Sequence, residues 1–218
     1  MSIKLCLNAL KSLVNLKFNI MENKILLRIL LIGGSKVGKT SIMLKYINNI
    51  FLPEYNQTIV VDCRSKQNLV LGKFARICIF DSPGNEEFST LTPAYWHLAD
   101  IIVFVAAYKD RDSLDFIKKK EDIIFQKAKS EAMKVVLLNK KDLKEEHNRV
   151  DNEFEEETKI WTEQNNLELY QFSARFDEDQ GVNDTIEKII SKFFKDKNPE
   201  TKKDTQTNSK KKCKCSII

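Results

Sequence analysis

The 218-residue chain is predicted to fold as an α/β domain, with a six-stranded, mostly parallel sheet covered by helices on both faces. Three observations predict this fold. After residue 20, strand-like apolar runs alternate with helical runs. Two of the strand-like runs are apolar at almost every position, which is typical of strands buried on both faces. The chain also has 6 Gly and 4 Pro, too few for a low-complexity sequence.

The predicted strands are residues 24–32, 60–71, 74–80, 101–107, 134–139 and 167–172. The turn 71–73 contains Gly72 and joins the second strand directly to the third, so that pair is expected to be antiparallel. The predicted helices carry apolar residues at every third or fourth position. They cover residues 39–48, 91–98, 113–129, 152–165 and 182–194.

Residues 33–40 read GGSKVGKT and fit the phosphate-binding pattern G-x-x-x-x-G-K-[ST] between the first strand and the first helix. Gly33 and Gly38 would let the backbone wrap the phosphates, because a Cβ there would block their approach. Lys39 would reach the β- and γ-phosphates, and Thr40 would offer its hydroxyl to Mg²⁺. The other residues assigned to nucleotide binding in this segment are Ser35, Lys36, Val37 and Ser41. A glycine turn without a ligand is the alternative for the string taken alone.

Polar residues also follow the third predicted strand, at the sheet edge where ligands bind in such folds. Asp81 would hold Mg²⁺ directly or through water, and the amide of Gly84 could meet a γ-phosphate.

Two later strands end in residues that suit a guanine base. Asn139-Lys140-Lys141-Asp142 follow the fifth strand, and Ser173-Ala174-Arg175 follow the sixth. The Asp142 carboxylate could accept both adjacent N–H groups of guanine, while the amide of Ala174 met its O6. Adenine lacks this donor pair and would leave the carboxylate unpaired. We therefore predict GTP or GDP as the ligand rather than ATP, with an ATP-dependent kinase or ATPase as the rival.

Over about residues 24–194, these motifs together resemble the Ras-like small GTPases, whose fold is that of the P-loop NTPases. The resemblance implies a role for each of three residues in the segment 51–58. Phe51 would pack on the guanine edge, Tyr55 would lie near the phosphates, and Thr58 would ligate Mg²⁺ and the γ-phosphate in the GTP state. The implied ligands of the metal are Thr40, Thr58 and Asp81.

Residues 86–99, EEFSTLTPAYWHLA, resemble the Rab branch of that superfamily. The branch implies a GTP/GDP switch in intracellular membrane trafficking that hydrolyses GTP with Mg²⁺. Effector, exchange-factor, activating and prenyl-carrier proteins would bind the switches at residues 51–62 and 81–99, with Phe80, Phe88 and Tyr95 as an aromatic surface. We expect a monomer without a nucleic-acid partner.

Some residues depart from the family pattern. Asn85 stands where the family has a Gln that orients the attacking water. Its side chain is shorter by one methylene, so hydrolysis should be slow even with Lys39, Thr58 and Gly84 in place. Lys36 replaces a glycine, and its charge would lie either near the β-phosphate or in solvent. A guanine-nucleotide-binding scaffold with little or no turnover is therefore the alternative function.

The two ends of the chain are basic and account for its net charge of +5, a distribution that favours a membrane surface over nucleic acid. Residues 1–20 form an extension that is either amphipathic or untranslated, since Met21 is a second plausible start. Residues 21–195 form the GTPase domain, and residues 196–218 a flexible Lys-rich tail.

Cysteine positions add two expectations. Cys215 lies four residues from the end in a C-a-a-X prenylation pattern, and Cys213 could carry a second lipid. An idle or metal-binding Cys-x-Cys tail is the alternative. These features predict a lipid-anchored protein on the cytoplasmic face of an intracellular membrane that cycles with the cytosol. Cys63 and Cys78 lie in strand-like runs, where we expect free, buried thiols.

Overall fold

The computed structural model describes residues 25–85, 93–144, 149–176 and 181–197 of the chain. This part contains one six-stranded sheet in the order β2-β3-β1-β4-β5-β6. The β2–β3 pair is antiparallel and the other pairs are parallel, which confirms the predicted fold class. The strands are β1 (Ile25–Ile32), β2 (Asp62–Val70), β3 (Lys73–Asp81), β4 (Ile101–Ala107), β5 (Met133–Asn139) and β6 (Glu168–Gln171).

Six α-helices of the described residues lie between or after the strands. They are α1 (Lys39–Asn48), α2 (Pro93–Trp96), α3 (Asp112–Lys118), α4 (Glu121–Lys127), α5 (Arg149–Gln164) and α6 (Val182–Lys197). The single helix predicted over 113–129 is wrong, since it is divided into α3 and α4. The amide of Lys120 bonds to the carbonyl of Ile117 at 3.0 Å, three residues back, which tightens the turn and ends α3. None of these described helices is long and apolar enough to cross a bilayer.

The central strands of the sheet are buried on both faces. On one face, alternate residues of β1 such as Leu27, Ile29 and Leu31 pack with apolar residues of α1 and α6. On the other face, Leu30 and Ile32 pack with residues of α2, α3, α4 and α5. Every residue of β4 is buried, as its unbroken apolar sequence predicts. The parallel pairing of β1, β3, β4, β5 and β6 gathers their carboxyl ends at one edge of the sheet.

The two strand cysteines differ in exposure. Both thiols are free, but Cys78 on β3 is buried and Cys63 on β2 is exposed. The prediction of a buried Cys63 is therefore wrong. Because β2 is the outermost strand and pairs with β3 alone, its side chains have a neighbouring strand on one side and solvent on the other.

Candidate nucleotide site

A cavity of about 430 Å³ opens at the carboxyl edge of the sheet, beside the loops that follow β1, β3, β5 and β6. All the predicted nucleotide-contacting residues line it except Gly33 and Val37, which are buried beneath its wall. The structure thus brings together Ser35, Lys36, Gly38, Lys39, Thr40, Ser41, Phe51, Tyr55, Thr58, Gly84, Asn139, Lys140, Asp142, Ser173, Ala174 and Arg175.

The phosphate-binding loop ends in a glycine whose backbone only glycine adopts easily. Gly38 has φ of 100°, and a Cβ there would lie 2.3 Å from Nδ2 of Asn139. Gly38 is also the residue before α1, so the first amides of that helix face the cavity without a capping side chain. The arrangement leaves backbone N–H groups directed at the place where an anion would lie.

Lys39 is buried beneath this loop. Its ammonium donates hydrogen bonds to the carbonyls of Gly33, at 2.9 Å, and Gly34, at 2.6 Å. Burial lowers the pKa of Lys39 to about 8, although the nearby Asp81 carboxylate opposes the shift. The side chain is 6% exposed, so a charged form is costly here unless an anion accompanies it. A phosphate in the cavity would provide that anion.

Thr40, Thr58 and Asp81 meet at one point, although 41 residues separate the first from the last. Oδ2 of Asp81 accepts hydrogen bonds from the Thr40 hydroxyl at 2.6 Å and the Thr58 hydroxyl at 3.2 Å. The two hydroxyl oxygens lie 3.1 Å apart. This cluster joins the phosphate-binding loop to the segment 51–62 and to the end of β3.

The same cluster suits Mg²⁺. Oδ1 of Asp81 is buried and has no hydrogen-bond partner among the described residues. Burial raises the pKa of Asp81, while the Thr40 hydroxyl and the Lys39 ammonium act in the opposite direction. A hard cation that takes oxygen ligands would offset this cost. The described residues contain no group of three or more His, Cys, Asp or Glu that could hold a metal, so further ligands would come from the nucleotide or water.

Asn139 joins the two ends of the cavity. Its Nδ2 donates to the Val37 carbonyl at 2.9 Å, and its Oδ1 accepts from the Ala174 amide at 3.0 Å. The side chain therefore fixes the phosphate-binding loop against the loop after β6. Asn139 itself is 1% exposed, so these bonds are shielded from bulk water.

The Asp142 carboxylate is exposed at the far end of the cavity and is oriented by a serine. The Ser173 hydroxyl donates to Oδ1 of Asp142 at 2.5 Å, and the same hydroxyl accepts from the Arg175 amide at 3.1 Å. A short 3₁₀ turn covers Lys141–Leu143, and Lys140, which precedes it, has φ of 60°. The loop after β5 thus places the Asp142 carboxylate and the Lys140 stem in the cavity. The Ala174 amide, predicted to meet guanine O6, instead donates to Oδ1 of Asn139 in this structure.

Comparison with known proteins identifies the family. A sequence model described as the Ras family matches residues 28–195. The chain belongs to the Ras family.

The relatives of this small GTPase point to its Rab branch. The Ras-related protein Rab-18 of Caenorhabditis elegans is 31% identical over 169 residues, which cover 77% of this chain and 80% of the relative. The Ras-related protein Rab-18 of Caenorhabditis briggsae is 39% identical over 42% of this chain and 46% of the relative. The GTP-binding protein YPT1 of Saccharomyces cerevisiae is 33% identical over 57% of this chain and 60% of the relative. The matched segment spans about half the length of the last two relatives. The chain is a Rab-like small GTPase.

Lys36 is exposed beside the phosphate-binding loop, in agreement with the solvent position that its sequence left open. It lines the cavity, and its ammonium lies 5.5 Å from the centroid of the Tyr55 ring. The hydroxyls of Tyr55 and Ser35 lie 2.8 Å apart. In this small GTPase the segment 51–62 is therefore held to the phosphate-binding loop at Tyr55 as well as at Thr58.

Asn85 lies outside the main cavity of this GTPase. It lines a second cleft of about 320 Å³, together with Gly34, Gln57 and Gly84. Gly84 lines both spaces and packs so closely on the loop that a Cβ would lie 2.6 Å from the Ser35 amide nitrogen. The predicted water-orienting group is thus next to the phosphate end, but separated from the cavity by the Gly84 backbone.

The sequence interpretation missed several residues that line these spaces. Residues 52–57 among them lie within the segment predicted as the first switch. The missed residues are Leu44, Leu52, Pro53, Glu54, Asn56 and Leu143 in the cavity, and Gln57, Asp110, Asp112, Ser113 and Phe116 in the cleft.

The predicted partner surface is described only in part. Phe80 and Tyr95 are half-buried, and their ring centroids lie 5.4 Å apart. Phe88 and the rest of residues 86–92 lie outside the described residues, as do Cys213 and Cys215. The aromatic pair at the end of β3 and the start of α2 is the observed portion of the surface assigned to partner proteins.

Proposed function

We propose that this Rab-like small GTPase is a GTP/GDP-regulated switch in intracellular membrane trafficking, formed by a GTPase domain over residues 21–195. The observation that carries the proposal is the cluster of Thr40, Thr58 and Asp81 beside the buried Lys39. One group of contacts unites the phosphate-binding loop, the first switch and the end of β3, so a ligand there would bias all three elements.

The triphosphate would lie along the phosphate-binding loop. The N-terminal amides of α1 face it, and Lys39 provides the positive charge beneath it. At the other end of the cavity, Asp142 would accept the N1 and N2 protons of guanine. The Ala174 amide would have to share its hydrogen between Oδ1 of Asn139 and the guanine O6. Phe51 lines the same cavity and would pack on the edge of the base.

Mg²⁺ would be held by Thr40, Thr58 and Asp81, the oxygen-bearing residues that meet beside the phosphate-binding loop. When bound, the ion neutralises charge on the β- and γ-phosphates. The chain's own contribution is to orient these groups, because the hydroxyl of Thr58 joins the first switch to Thr40 and Asp81. Loss of the γ-phosphate would free Thr58 and the Gly84 amide and alter the surfaces at residues 51–62 and 81–99.

Hydrolysis is the attack of water on the γ-phosphate, and we propose that it is slow in this protein. Lys39 and the Gly84 amide would stabilise the phosphate charge. The group assigned to orient water, Asn85, lines the cleft beyond Gly84 rather than the nucleotide cavity. With a side chain one methylene shorter than Gln, it would hold the water at a poor distance or angle.

Membrane attachment and partner binding complete the proposed function. A prenyl group on Cys215, with Cys213 and the nearby lysines as further signals, would place the protein on the cytoplasmic face of an intracellular membrane. Effectors, exchange factors, activating proteins and a prenyl carrier would bind a monomer through the two switches. The partly exposed pair Phe80 and Tyr95 supports the assignment of that surface.

The first experiment identifies the nucleotide and measures its turnover. Mass spectrometry of the nucleotide released from purified protein should find GDP or GTP, and single-turnover phosphate release should be slow. Asn85→Gln should accelerate release by about 10- to 100-fold, because a misplaced catalytic group costs up to that factor. Asn165→Gln, a change of the same chemistry at the end of α5, is the matched control and should leave the rate unchanged.

A guanine-nucleotide-binding scaffold is the second candidate, because Asn85 lies outside the cavity. The same experiment separates the two functions. The protein would be the scaffold if both wild type and Asn85→Gln bound GTP tightly and neither released phosphate. A bound adenine nucleotide would contradict both candidates.

A further inference from the structure

Three residues at the mouth of the nucleotide cavity form a connected group. The Tyr55 hydroxyl lies 2.8 Å from the hydroxyl of Ser35, and the ammonium of Lys36 lies 5.5 Å from the centroid of the Tyr55 ring. All three residues line the cavity. A tyrosine in the middle of the first switch is therefore held from two sides by consecutive residues of the phosphate-binding loop.

The backbone at Lys36 is strained for a lysine. Its φ of 61° lies in the left-handed region, which glycine adopts freely and other residues adopt at a cost. The neighbouring loop is rich in glycine, and the family resemblance itself has glycine at this position. Five other non-glycine residues of the described part share this conformation, so the contacts of the Lys36 side chain, rather than its backbone alone, indicate its role.

The side chain of Lys36 lies close to the ring of Tyr55. A cation within about 6 Å of an aromatic centroid is attracted to the face of the ring. The ammonium of Lys36, 5.5 Å from the centroid of the Tyr55 ring, lies within this distance. Tyr55 is 51% exposed, so little else in the described residues restrains its ring. The contact with Lys36 and the hydroxyl contact with Ser35 together oppose the outward movement of Tyr55.

We propose that Ser35, Lys36 and Tyr55 form a clasp that closes the first switch over the cavity and slows the release of guanine nucleotide. The inference rests on the proposed function and names Lys36 as a positioning residue for the nucleotide. The clasp joins protein groups alone, so it acts without the γ-phosphate. It therefore retains GDP as well as GTP, whereas the contact of Thr58 with its metal and phosphate is specific to the GTP state.

The test is the rate at which a fluorescent GDP, and a fluorescent non-hydrolysable GTP analogue, leave preloaded protein in excess unlabelled nucleotide. Lys36→Met keeps the backbone strain and removes the charge. It should accelerate release of both nucleotides about two- to fivefold, since a single exposed cation–ring contact is lost. Lys36→Arg preserves a cation above the ring and should release nucleotide at the wild-type rate.

Lys109 offers a matched control. It is also a lysine with a left-handed backbone, φ 63°, but it pairs with Asp151 at 2.8 Å and does not line the cavity. Lys109→Met should leave both release rates unchanged. Melting temperatures of all variants, measured at the same GDP and Mg²⁺ concentrations, show that each remains folded.

A double-mutant cycle with Tyr55→Ala decides whether Lys36 acts through the ring. If the clasp exists, Lys36→Met should have little further effect once Tyr55 is truncated, because both changes remove the same contact between the Lys36 ammonium and the Tyr55 ring. An equal effect of Lys36→Met with and without the ring would overturn the clasp, as would an unchanged release rate in Lys36→Met alone. A wild-type protein that takes up no guanine nucleotide would instead refute the proposed function itself.

Discussion

Replacing Asn139 with alanine should be one of the most damaging single changes at the site. The side chain makes two buried hydrogen bonds, to the Val37 carbonyl at 2.9 Å and from the Ala174 amide at 3.0 Å. Truncation leaves the Val37 carbonyl and the Ala174 amide without this hydrogen-bond partner, and each unsatisfied group lowers the free energy of unfolding by about 1–3 kcal/mol. Water can enter from the adjacent cavity and relieve part of this cost, so we expect a total loss of about 3 kcal/mol in the free energy of unfolding.

The assay is thermal unfolding of Asn139→Ala and wild type at one fixed excess of GDP and Mg²⁺. For a domain of this size, a loss of about 3 kcal/mol corresponds to a fall of roughly 6–12 °C in melting temperature. Fluorescent nucleotide should also leave the variant faster, because the side chain fixes the phosphate-binding loop against the base-binding loop. Bound GDP itself stabilises the fold, so the release rate shows how much of the fall reflects lost affinity.

Asn165→Ala provides the matched comparison. Asn165 makes one side-chain bond, from Nδ2 to the Trp161 carbonyl at 3.0 Å, in a half-buried position after α5. Its truncation should cost about 0.5–1 kcal/mol and leave nucleotide release unchanged. If Asn139→Ala lost no more stability than Asn165→Ala, the proposed bridge between the two loops would be wrong.

Two further predictions test the phosphate end of the site and the remote core. Gly84→Ala should slow GTP hydrolysis and weaken GTP binding more than GDP binding, because its Cβ would lie 2.6 Å from backbone atoms of Gly34 and Ser35 and displace the amide assigned to the γ-phosphate. Gly34→Ala, whose Cβ would have its nearest contact at 3.8 Å, is the control and should behave like wild type in nucleotide binding and single-turnover assays. At Glu155, burial raises the carboxyl pKa, but hydrogen bonds from Lys144 and Lys159 outweigh it and hold the pKa well below 4.5. Its stabilising contribution is therefore present above about pH 4.5 and lost as the pH falls. Urea unfolding should show Glu155→Gln less stable than wild type at pH 7, with the difference shrinking below pH 4.5; a constant difference would contradict the assignment.

Periodicity predicted most of the fold, and its errors have physical causes. The second strand is predicted to begin at residue 60. The structure begins it at Asp62, opposite Asp81, where β3 ends and no further pairing partner exists. Ile59 and Val60 are consequently 58% and 64% exposed. Strand propensity alone does not reveal where the partner strand ends.

The polar residues of the site followed from chemistry that is local in sequence. A glycine-rich loop, an acid after β3 and Asn139–Asp142 after β5 each carry a recognisable pattern, and parallel topology brings them to one edge. The position of Lys36 over Tyr55 depends on how the first switch lies across the loop, which no local pattern specifies. The same holds for Asn85, whose separation from the cavity results from the close packing of Gly84 on Ser35.

The central claim is that Asp142 selects guanine, and the relative affinities of GDP, ADP and XDP for wild type and Asp142→Asn test it most directly. Wild type should prefer GDP by at least about 100-fold, the factor that corresponds to about 3 kcal/mol for a paired charge-assisted hydrogen bond. Asp142→Asn should lose that preference and favour XDP, whose C2 oxygen can accept from an amide. Equal binding of ADP and GDP by wild type, or an unchanged guanine preference in the variant, would contradict the account.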